Sequence, residues 1–207
     1  MEKDSANRRR TNVSALLHSP GLYILIGGLE ALFLIHLAEM VYPDYSVSSD
    51  YISDLGIGPA LPAALFTAAV ILFGLMALLS SALMRKEDKK SLLWLFVALS
   101  GVGAICVGLF NENVTLVHRP AALTAFLFGN LAALYSYRRT RPPLSYVFGM
   151  LGLIGLSALA LFGAGIYLGL GIGGMERMIL YPAMFWAIGF GAFRCAEETR
   201  ETRSRIS

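Results

Sequence analysis

The sequence predicts an all-α integral membrane protein built as a bundle of six transmembrane helices. Of its 207 residues, 56% are hydrophobic and 15% are charged, whereas a soluble domain is about one quarter charged. Mean hydropathy is +0.63, and the hydrophobic residues are gathered in long uncharged runs. This composition excludes a soluble globular enzyme, a disordered chain and a disulfide-rich secreted module.

Six apolar runs have the length that a membrane span requires, since roughly 20 helical residues cross a hydrocarbon core about 30 Å thick. The runs cover residues 20–41, 59–84, 91–110, 120–137, 144–168 and 178–195. They predict a membrane domain over residues 20–195, an N-terminal tail over 1–19 and a C-terminal tail over 196–207. The first run is long and has no small-x-small cleavage site, so we expect a retained signal anchor rather than a cleaved peptide.

The positions of lysine and arginine predict the orientation. With six spans, all of the 17 lysines and arginines except Arg119 and Arg177 lie on the same side as the two tails. Because cytoplasmic segments are enriched in these residues, we expect a cell-membrane protein with both termini in the cytoplasm. The clusters account for the net charge of +3, and no basic stripe with interleaved aromatic residues indicates a nucleic-acid partner. The lipid bilayer is the expected partner.

Four polar side chains fall within the predicted spans, namely Glu30, His36, Glu39 and Asn130. A charged group near mid-membrane costs about 2.5–3.5 kcal/mol on insertion scales, so Glu30 must face protein or water, or remain protonated. His36 and Glu39 are three residues apart and therefore share a helix face. Asn130 either satisfies Glu30 or another helix, as a structural bond between spans, or belongs with Glu30 to a functional site.

Acidic residues occur in all three connections that the topology places outside the cell. The first contains Asp44, Asp50 and Asp54, the second Glu112, and the third Glu176. Because the three connections end at the same membrane face, they can supply one site. The residues from which such a site would be built are Ser53, Asp54, Glu112, His118, Arg119, Glu176 and Arg177.

Three short motifs lie at these connections. They are Tyr51-Ile52-Ser53-Asp54-Leu55-Gly56, Phe110-Asn111-Glu112 with His118 eight residues after Phe110, and Gly173-Gly174-Met175-Glu176-Arg177 followed by Tyr181, Pro182 and Trp186. Together they resemble the motifs of a multi-pass membrane family designated domain of unknown function 998. The resemblance covers most of the chain and implies a membrane protein of six to seven spans without an established biochemical role. It also implies that the residues of these motifs are central to the family.

The sequence favours an extracytoplasmic site that acts on or binds lipid or lipid-linked head groups. The candidate catalytic residues are Asp54, Glu112 and His118, because carboxylates and imidazole perform acid–base chemistry or hold a divalent metal. Arginine binds phosphate bidentately. The candidate head-group ligands are Ser53, Arg119, Glu176 and Arg177. No GxSxG, P-loop or HExxH motif is present, so the sequence leaves open whether the protein is an enzyme and whether it needs a metal.

Other interpretations of these residues stay open. Ser53 or Asp54 can cap the second span, and Glu176 with Arg177 can anchor a helix end at the interface. A small transporter or channel would use the mid-span groups Glu30 and Asn130, whereas a scaffold would need no chemistry.

Glycine spacing predicts where helices approach closely. A doubled GxxxG motif ends the fifth span, and a second small-xxx-small pair lies on the sixth. We expect these faces to pack within the chain, with a homo-oligomer as the alternative. The residues are Gly165, Gly169 and Gly173 on the fifth span, and Ala187 and Gly191 on the sixth.

Overall fold

The structure is a computed structural model that describes residues 18–206, with side chains for residues 18–200. Over this range the chain forms six α-helices and no β-strand, which confirms the predicted all-α fold. The predicted N-terminal tail lies almost entirely outside the described residues. The helices are α1 (Pro20–Val41), α2 (Ala60–Glu87), α3 (Leu93–Leu109), α4 (Thr115–Tyr135), α5 (Leu144–Gly163) and α6 (Gly171–Ile206), with 3-10 turns at Ser53–Ile57 and Ser136–Arg138.

Four of the six helices are long and apolar enough to cross a membrane. They are α1, α2, α5 and the Gly171–Arg200 part of α6, while α3 is apolar but has only 17 residues. Large hydrophobic side chains point outward from the bundle, among them Phe33 and Met40 at 68% and 82% exposure. Such an apolar exterior is expected of helices that are surrounded by lipid, because lipid does not penalise exposed hydrocarbon.

Helix boundaries agree with the predicted spans at α1 and differ at the ends that carry the candidate site. α4 begins at Thr115 rather than at residue 120, and α6 begins at Gly171 rather than at residue 178. Hydropathy marks where a span becomes apolar, whereas helical hydrogen bonding continues through the polar residues before it. His118, Arg119, Glu176 and Arg177 therefore lie on helices and not in the connecting loops.

The predicted doubled GxxxG face on the fifth span is wrong. α5 ends at Gly163, and Gly165 and Gly169 lie in the following connection with φ values of 72° and 78°. These left-handed conformations suit glycine and end a helix. Gly173 belongs to α6, so the three glycines do not share a helix face.

The second predicted small-residue face does bring two helices together within the chain. A Cβ atom added to Gly191 on α6 would lie 2.7 Å from the carbonyl oxygen of Gly21 on α1. Ala187, one turn earlier, is fully buried. Small residues allow this backbone contact, which large side chains would prevent.

The six helices form a closed ring. Each helix packs against its successor, and α6 packs back against α1 as well as against α4 and α5. The α2 end of the first connection, the start of α4 and the start of α6 all lie at one end of this ring. The arrangement thereby places the three sequence motifs around a common point.

Candidate functional site

Direct hydrogen bonds join the three sequence motifs. The Ser53 hydroxyl donates to Oε2 of Glu112 at 3.0 Å, and the backbone N–H of Ile52 donates to Oε2 of Glu176 at 2.6 Å. The first connection therefore contacts the second connection on one side and α6 on the other. Residues separated by 59 and 124 positions in sequence meet at one site.

The first motif folds into a 3-10 turn whose residues each have a defined role. The carboxylate of Asp54 accepts a hydrogen bond from the backbone N–H of Tyr51 at 2.8 Å, which closes the turn as a capping side chain does. Leu55 is fully buried and anchors the turn on the bundle. A Cβ atom at Gly56 would lie 2.8 Å from the ring of Phe66, so this position requires glycine.

Asp54 and Glu112 form a pair of neighbouring carboxyl groups. Burial raises the pKa of Asp54 above its ordinary value, the Tyr51 N–H opposes this shift, and the charge and hydrogen bond of Glu112 raise the pKa further. The raised pKa makes Asp54 the member of this pair that is suited to donate a proton.

His118 is a buried imidazole with one nitrogen occupied and one nitrogen free. Its Nδ1 lies 2.8 Å from the carbonyl oxygen of Phe110, and the side chain is 4% exposed. Since a carbonyl oxygen only accepts, Nδ1 carries the hydrogen, and the Nε2 lone pair of the neutral ring remains available. No side chain or backbone group within the described range makes a hydrogen bond to Nε2. His118 is therefore suited to accept a proton.

Below these residues lies a narrow apolar cavity of about 70 Å³ inside the helix ring. Every helix except α5 contributes to its wall, and on α6 the wall runs from Glu176 to Met184, which corresponds to about 12 Å of helix. The hydroxyl of Ser100 in the wall is already bonded to the carbonyl oxygen of Ala125. Among the hydrophobic wall residues are Phe66, Phe73, Ala104, Ala125, Leu180 and Ala183.

The polar groups of the cavity are concentrated at one end. Ser53, His118 and Glu176 line this end, and Asp54 and Glu112 lie beside it through the contacts described above. Glu176 is 6% exposed, so its carboxyl group is buried within the protein and faces the cavity rather than bulk solvent. The cavity is therefore apolar along its wall and polar at one end.

Arg177 does not line this cavity, and its guanidinium is bound by other protein groups. Its two terminal nitrogens donate to Glu39, to the Tyr45 hydroxyl, and to the carbonyl oxygens of Val47 and Gly173. The side chain therefore fastens the first connection to α1 and α6. Its Nε is buried and has no hydrogen-bond partner among the described residues, and its binding of a head group stays a prediction.

Arg119 remains the one predicted head-group arginine with an accessible side chain. It is exposed at the start of α4, and its charge reaches the hydroxyl of Tyr51. Its position is at the rim of the candidate site, outside the cavity wall.

Of the two polar groups near the middle of the spans, Asn130 has hydrogen-bond partners in the described residues and Glu30 has none. The Asn130 amide donates to the carbonyl oxygens of Phe126 and Ile179, at 2.9 and 3.1 Å, and so joins α4 to α6. It does not bond to Glu30, whose two carboxylate oxygens are buried and have no hydrogen-bond partner among residues 18–200. Of the two alternatives for Asn130, the structure shows the bond to another helix.

His36 and Glu39 share a face of α1, as predicted, and both contact α6. The ring of His36 stacks on Tyr181 at a centroid distance of 5.8 Å. Glu39 pairs with Arg177 at 2.5 Å. Both residues therefore serve the contact between α1 and α6.

Several groups of this region were not anticipated from the sequence. Tyr45 donates to the carbonyl oxygen of Tyr51 and accepts from Arg177, and the Phe110 carbonyl orients His118. The position of a backbone carbonyl group cannot be inferred from the sequence. Alanines that line a cavity also have the same spacing as alanines that fill a core. The described residues bring no three side chains of His, Cys, Asp or Glu into a group able to hold a metal ion.

Comparison of the chain with known proteins identifies one matching family. A family model described as "Protein of unknown function (DUF998)" matches residues 25–192. No curated protein and no solved structure has a significant similarity to the chain. The matched range contains all three motifs and every residue that lines the cavity.

Proposed function

The chain belongs to the DUF998 family, and we propose that it is a membrane protein with an extracytoplasmic site that binds, and acts by acid–base chemistry on, a lipid or lipid-linked molecule. The observation that carries this proposal is the cavity whose apolar wall ends at Ser53, His118 and Glu176. The apolar wall favours a hydrocarbon group, and the polar part of a bound molecule would meet the acid–base residues at the end of the cavity.

The proposal includes six spans with both termini in the cytoplasm. The 17 residues of α3 and the 21 residues of α4 correspond to about 26 and 32 Å of helix, close to the hydrocarbon thickness. α3 packs between α2 and α4, and α4 packs against α3 and α5, in the same ring as the longer apolar helices. With these two helices counted as spans, the lysine and arginine clusters all fall on one side, as the positive-inside rule requires.

The topology is tested by labelling single cysteines from outside intact cells. In a background with Cys106→Ala and Cys195→Ser, a Lys89→Cys variant reports on the α2–α3 connection and an Asn113→Cys variant on the α3–α4 connection. We expect a membrane-impermeant maleimide to label Asn113→Cys in intact cells and Lys89→Cys only after permeabilisation. The reverse pattern would contradict the proposed orientation and move the site to the cytoplasmic face.

The residues of the site have complementary chemical roles in this proposal. Asp54 supplies the proton, because burial and the neighbouring Glu112 raise its pKa. His118 supplies the acceptor through Nε2, held in position by the Phe110 carbonyl. The Ser53 hydroxyl, bonded to Glu112, orients the pair toward the cavity end.

The lipid activity is tested by comparing the membrane lipids of cells that express the protein with those of cells that do not. We expect the wild-type chain to change the abundance of at least one lipid class, and Asp54→Asn, Glu112→Gln and His118→Ala to abolish that change at equal expression. Glu87→Gln is the matched control, since Glu87 is a carboxylate on α2 that pairs with Arg194 at the other end of the bundle. Lipid profiles identical in wild type and all three variants would overturn the proposed activity.

Among the described residues, those that line the cavity form no continuous polar pathway that would support the transporter alternative. Neither Glu30 nor Asn130 belongs to the wall of the cavity within the described part of the chain. The wall below His118 and Glu176 is apolar, and its one hydroxyl, that of Ser100, is bonded to a carbonyl.

A further inference from the structure

An apolar groove lies on the outer surface of the bundle at the end opposite the candidate site. It is formed by the end of α4 and the starts of α3 and α5. α4 packs against both of these helices, which are not packed against each other in the described part of the chain, so α4 forms the floor of the groove. Large side chains line it, among them Phe96, Leu131, Leu134, Tyr135, Tyr146 and Leu153.

The groove has the dimensions of a site for a hydrocarbon chain. Along α5 it runs from Tyr146 to Leu153, which corresponds to about 10 Å of helix. A volume of about 670 Å³ over that length gives a mean cross-section of roughly 65 Å². One leaflet of the hydrocarbon core is about 15 Å deep, so the groove covers most of the depth that a lipid chain occupies in one leaflet.

Arg138 connects this groove with a second space. It lines the groove and also lines a polar cavity of about 320 Å³, which we call the basic cavity, between α2, α3, α6 and the 3-10 turn after α4. The side chain of Arg138 is exposed, and among residues 18–200 it makes no ion pair. The apolar groove and the basic cavity therefore meet at a guanidinium that no acidic side chain of the described range neutralises.

The basic cavity has an excess of positive charge. Arg139 lines it next to Arg138 and pairs with Asp88 at 2.5 Å. The other acidic residue of the lining is paired with an arginine of α6. Each acid of the cavity thus has a cationic partner, and Arg138 is the surplus cation, with Lys89 and Lys90 following Asp88 in the chain. An anionic group can consequently bind here without breaking an existing ion pair.

Gly149 and two tyrosines shape the part of the groove near Arg138. A Cβ atom at Gly149 would lie 3.3 Å from the ring of Tyr137, so the absence of a side chain leaves this part of the groove open. The rings of Tyr137 and Tyr146 lie 6.0 Å apart, and both side chains are exposed. Tyrosine is favoured at the level of lipid head groups, because its ring is apolar and its hydroxyl is polar.

We propose that this end of the bundle binds one anionic phospholipid, with its phosphate at Arg138 and Arg139 and an acyl chain in the groove. A guanidinium donates two parallel hydrogen bonds to a phosphate, and basic pockets between membrane helices hold anionic head groups. The site goes beyond the proposed function, because it involves none of Asp54, Glu112 and His118. In the orientation proposed above, its lipid comes from the cytoplasmic leaflet.

Native mass spectrometry of the purified full-length protein, released from detergent micelles, tests the inference. The probes are phosphatidylglycerol, phosphatidylcholine with the same acyl chains, and glycerol phosphate, which has the phosphate without the chains. We expect phosphatidylglycerol to bind about tenfold more tightly than phosphatidylcholine, since a charge-assisted hydrogen bond is worth about one such factor. Glycerol phosphate in tenfold excess should not displace the bound phosphatidylglycerol.

Two pairs of variants assign the binding to the cavity and to the groove. Arg138→Gln should reduce the affinity for phosphatidylglycerol about tenfold, to that for phosphatidylcholine. Arg141→Gln is its matched control, because Arg141 is exposed and lines neither the groove nor the basic cavity. Gly149→Leu places a side chain in the groove and should weaken the binding of both phospholipids. Gly163→Leu on the same helix is its control, since the space around Gly163 is open and it does not line the groove.

Each contrary result would overturn a stated part of the inference. Equal binding of the two phospholipids, or a preference that survives Arg138→Gln, would mean that lipid coats this surface without recognition of its head group. Displacement by glycerol phosphate would show that the site takes a free phosphate and not a lipid. Unchanged binding in Gly149→Leu would remove the groove from the site. Melting of each variant shows that it is folded, and Leu153→Trp, at an exposed position of the groove wall, replaces Gly149→Leu if that variant fails to fold.

Discussion

Arg177 on α6 and Glu39 on α1 form an ion pair at 2.5 Å in which both side chains are at most 10% exposed. The same guanidinium contacts the Tyr45 hydroxyl and the Val47 carbonyl, so one side chain connects two helices and the first connection. A buried charge requires such partners, because an unpaired ion in a low-dielectric interior is strongly unfavourable. The pair thus positions the turn that carries Ser53 and Asp54.

We predict that Arg177→Met lowers the free energy of unfolding by about 3–5 kcal/mol, because the variant leaves Glu39 buried without its partner. Unfolding of the purified protein in detergent micelles, followed by circular dichroism, measures this loss. Arg119→Met is the matched control, since Arg119 is exposed, and it should have little effect. Equal destabilisation by the two variants would show that the pair has no special importance.

We expect a substitution of Glu30 on α1 to raise the stability of the protein rather than lower it. Its carboxylate oxygens are buried without a partner among the described residues, and an unsatisfied buried polar group costs about 1–3 kcal/mol. Glu30→Leu should therefore raise the melting temperature, whereas Glu39→Leu, which breaks the pair with Arg177, should lower it. A lower melting temperature for Glu30→Leu would indicate a stabilising partner for this carboxyl group.

We predict that the contribution of Asp54 to the stability of the fold depends on pH. Burial raises its pKa, with the Tyr51 N–H opposing and Glu112 adding to the shift, so the folded protein keeps a proton that the unfolded chain releases near pH 3.9. The resulting stabilisation is complete below that pH and is lost as pH rises through the folded-state pKa. Asp54→Asn, which cannot ionise, should therefore gain melting temperature relative to the wild type between pH 4 and pH 7.

Asp88 is a control for that measurement, because its contribution to stability should change with pH in the opposite direction. The hydrogen bond from Arg139 is the largest cause that lowers the pKa of Asp88, so its contribution is present at neutral pH and disappears as pH falls. Asp88→Asn should lose melting temperature relative to the wild type at pH 7 and lose less at pH 4. Parallel pH curves for the two variants would contradict the environment described for Asp54.

Gly191 tests the backbone contact between α6 and α1. A Cβ atom there would lie 2.7 Å from both the Gly21 carbonyl oxygen and the Leu25 nitrogen, neither of which can move like a side chain. We predict that Gly191→Ala lowers the free energy of unfolding by about 1–3 kcal/mol, as overpacking does. Gly163→Ala has open space around the added methyl group, and its stability should be unchanged or slightly higher.

Much of the fold followed from local properties of the chain. The run at residues 20–41 predicted α1 with the same bounds, because an apolar run of that length between polar segments is itself the signal for a span. The starts of α4 and α6 were misplaced, since hydropathy does not show that His118 and Glu176 continue the helical hydrogen bonding of the apolar residues that follow. The glycines after residue 163 were assigned to a helix face because spacing alone does not reveal a positive φ.

The sequence by itself determined that the chain is helical, apolar and organised around three motifs, because composition, run length and residue spacing are properties of neighbouring residues. Only the tertiary structure decided the partners. Arg177 bonds to Glu39, Asn130 bonds to Ile179 rather than to Glu30, and Glu176 turns inward to Ile52. These choices depend on how six helices are rotated against one another, and that rotation results from packing contacts between residues far apart in the chain.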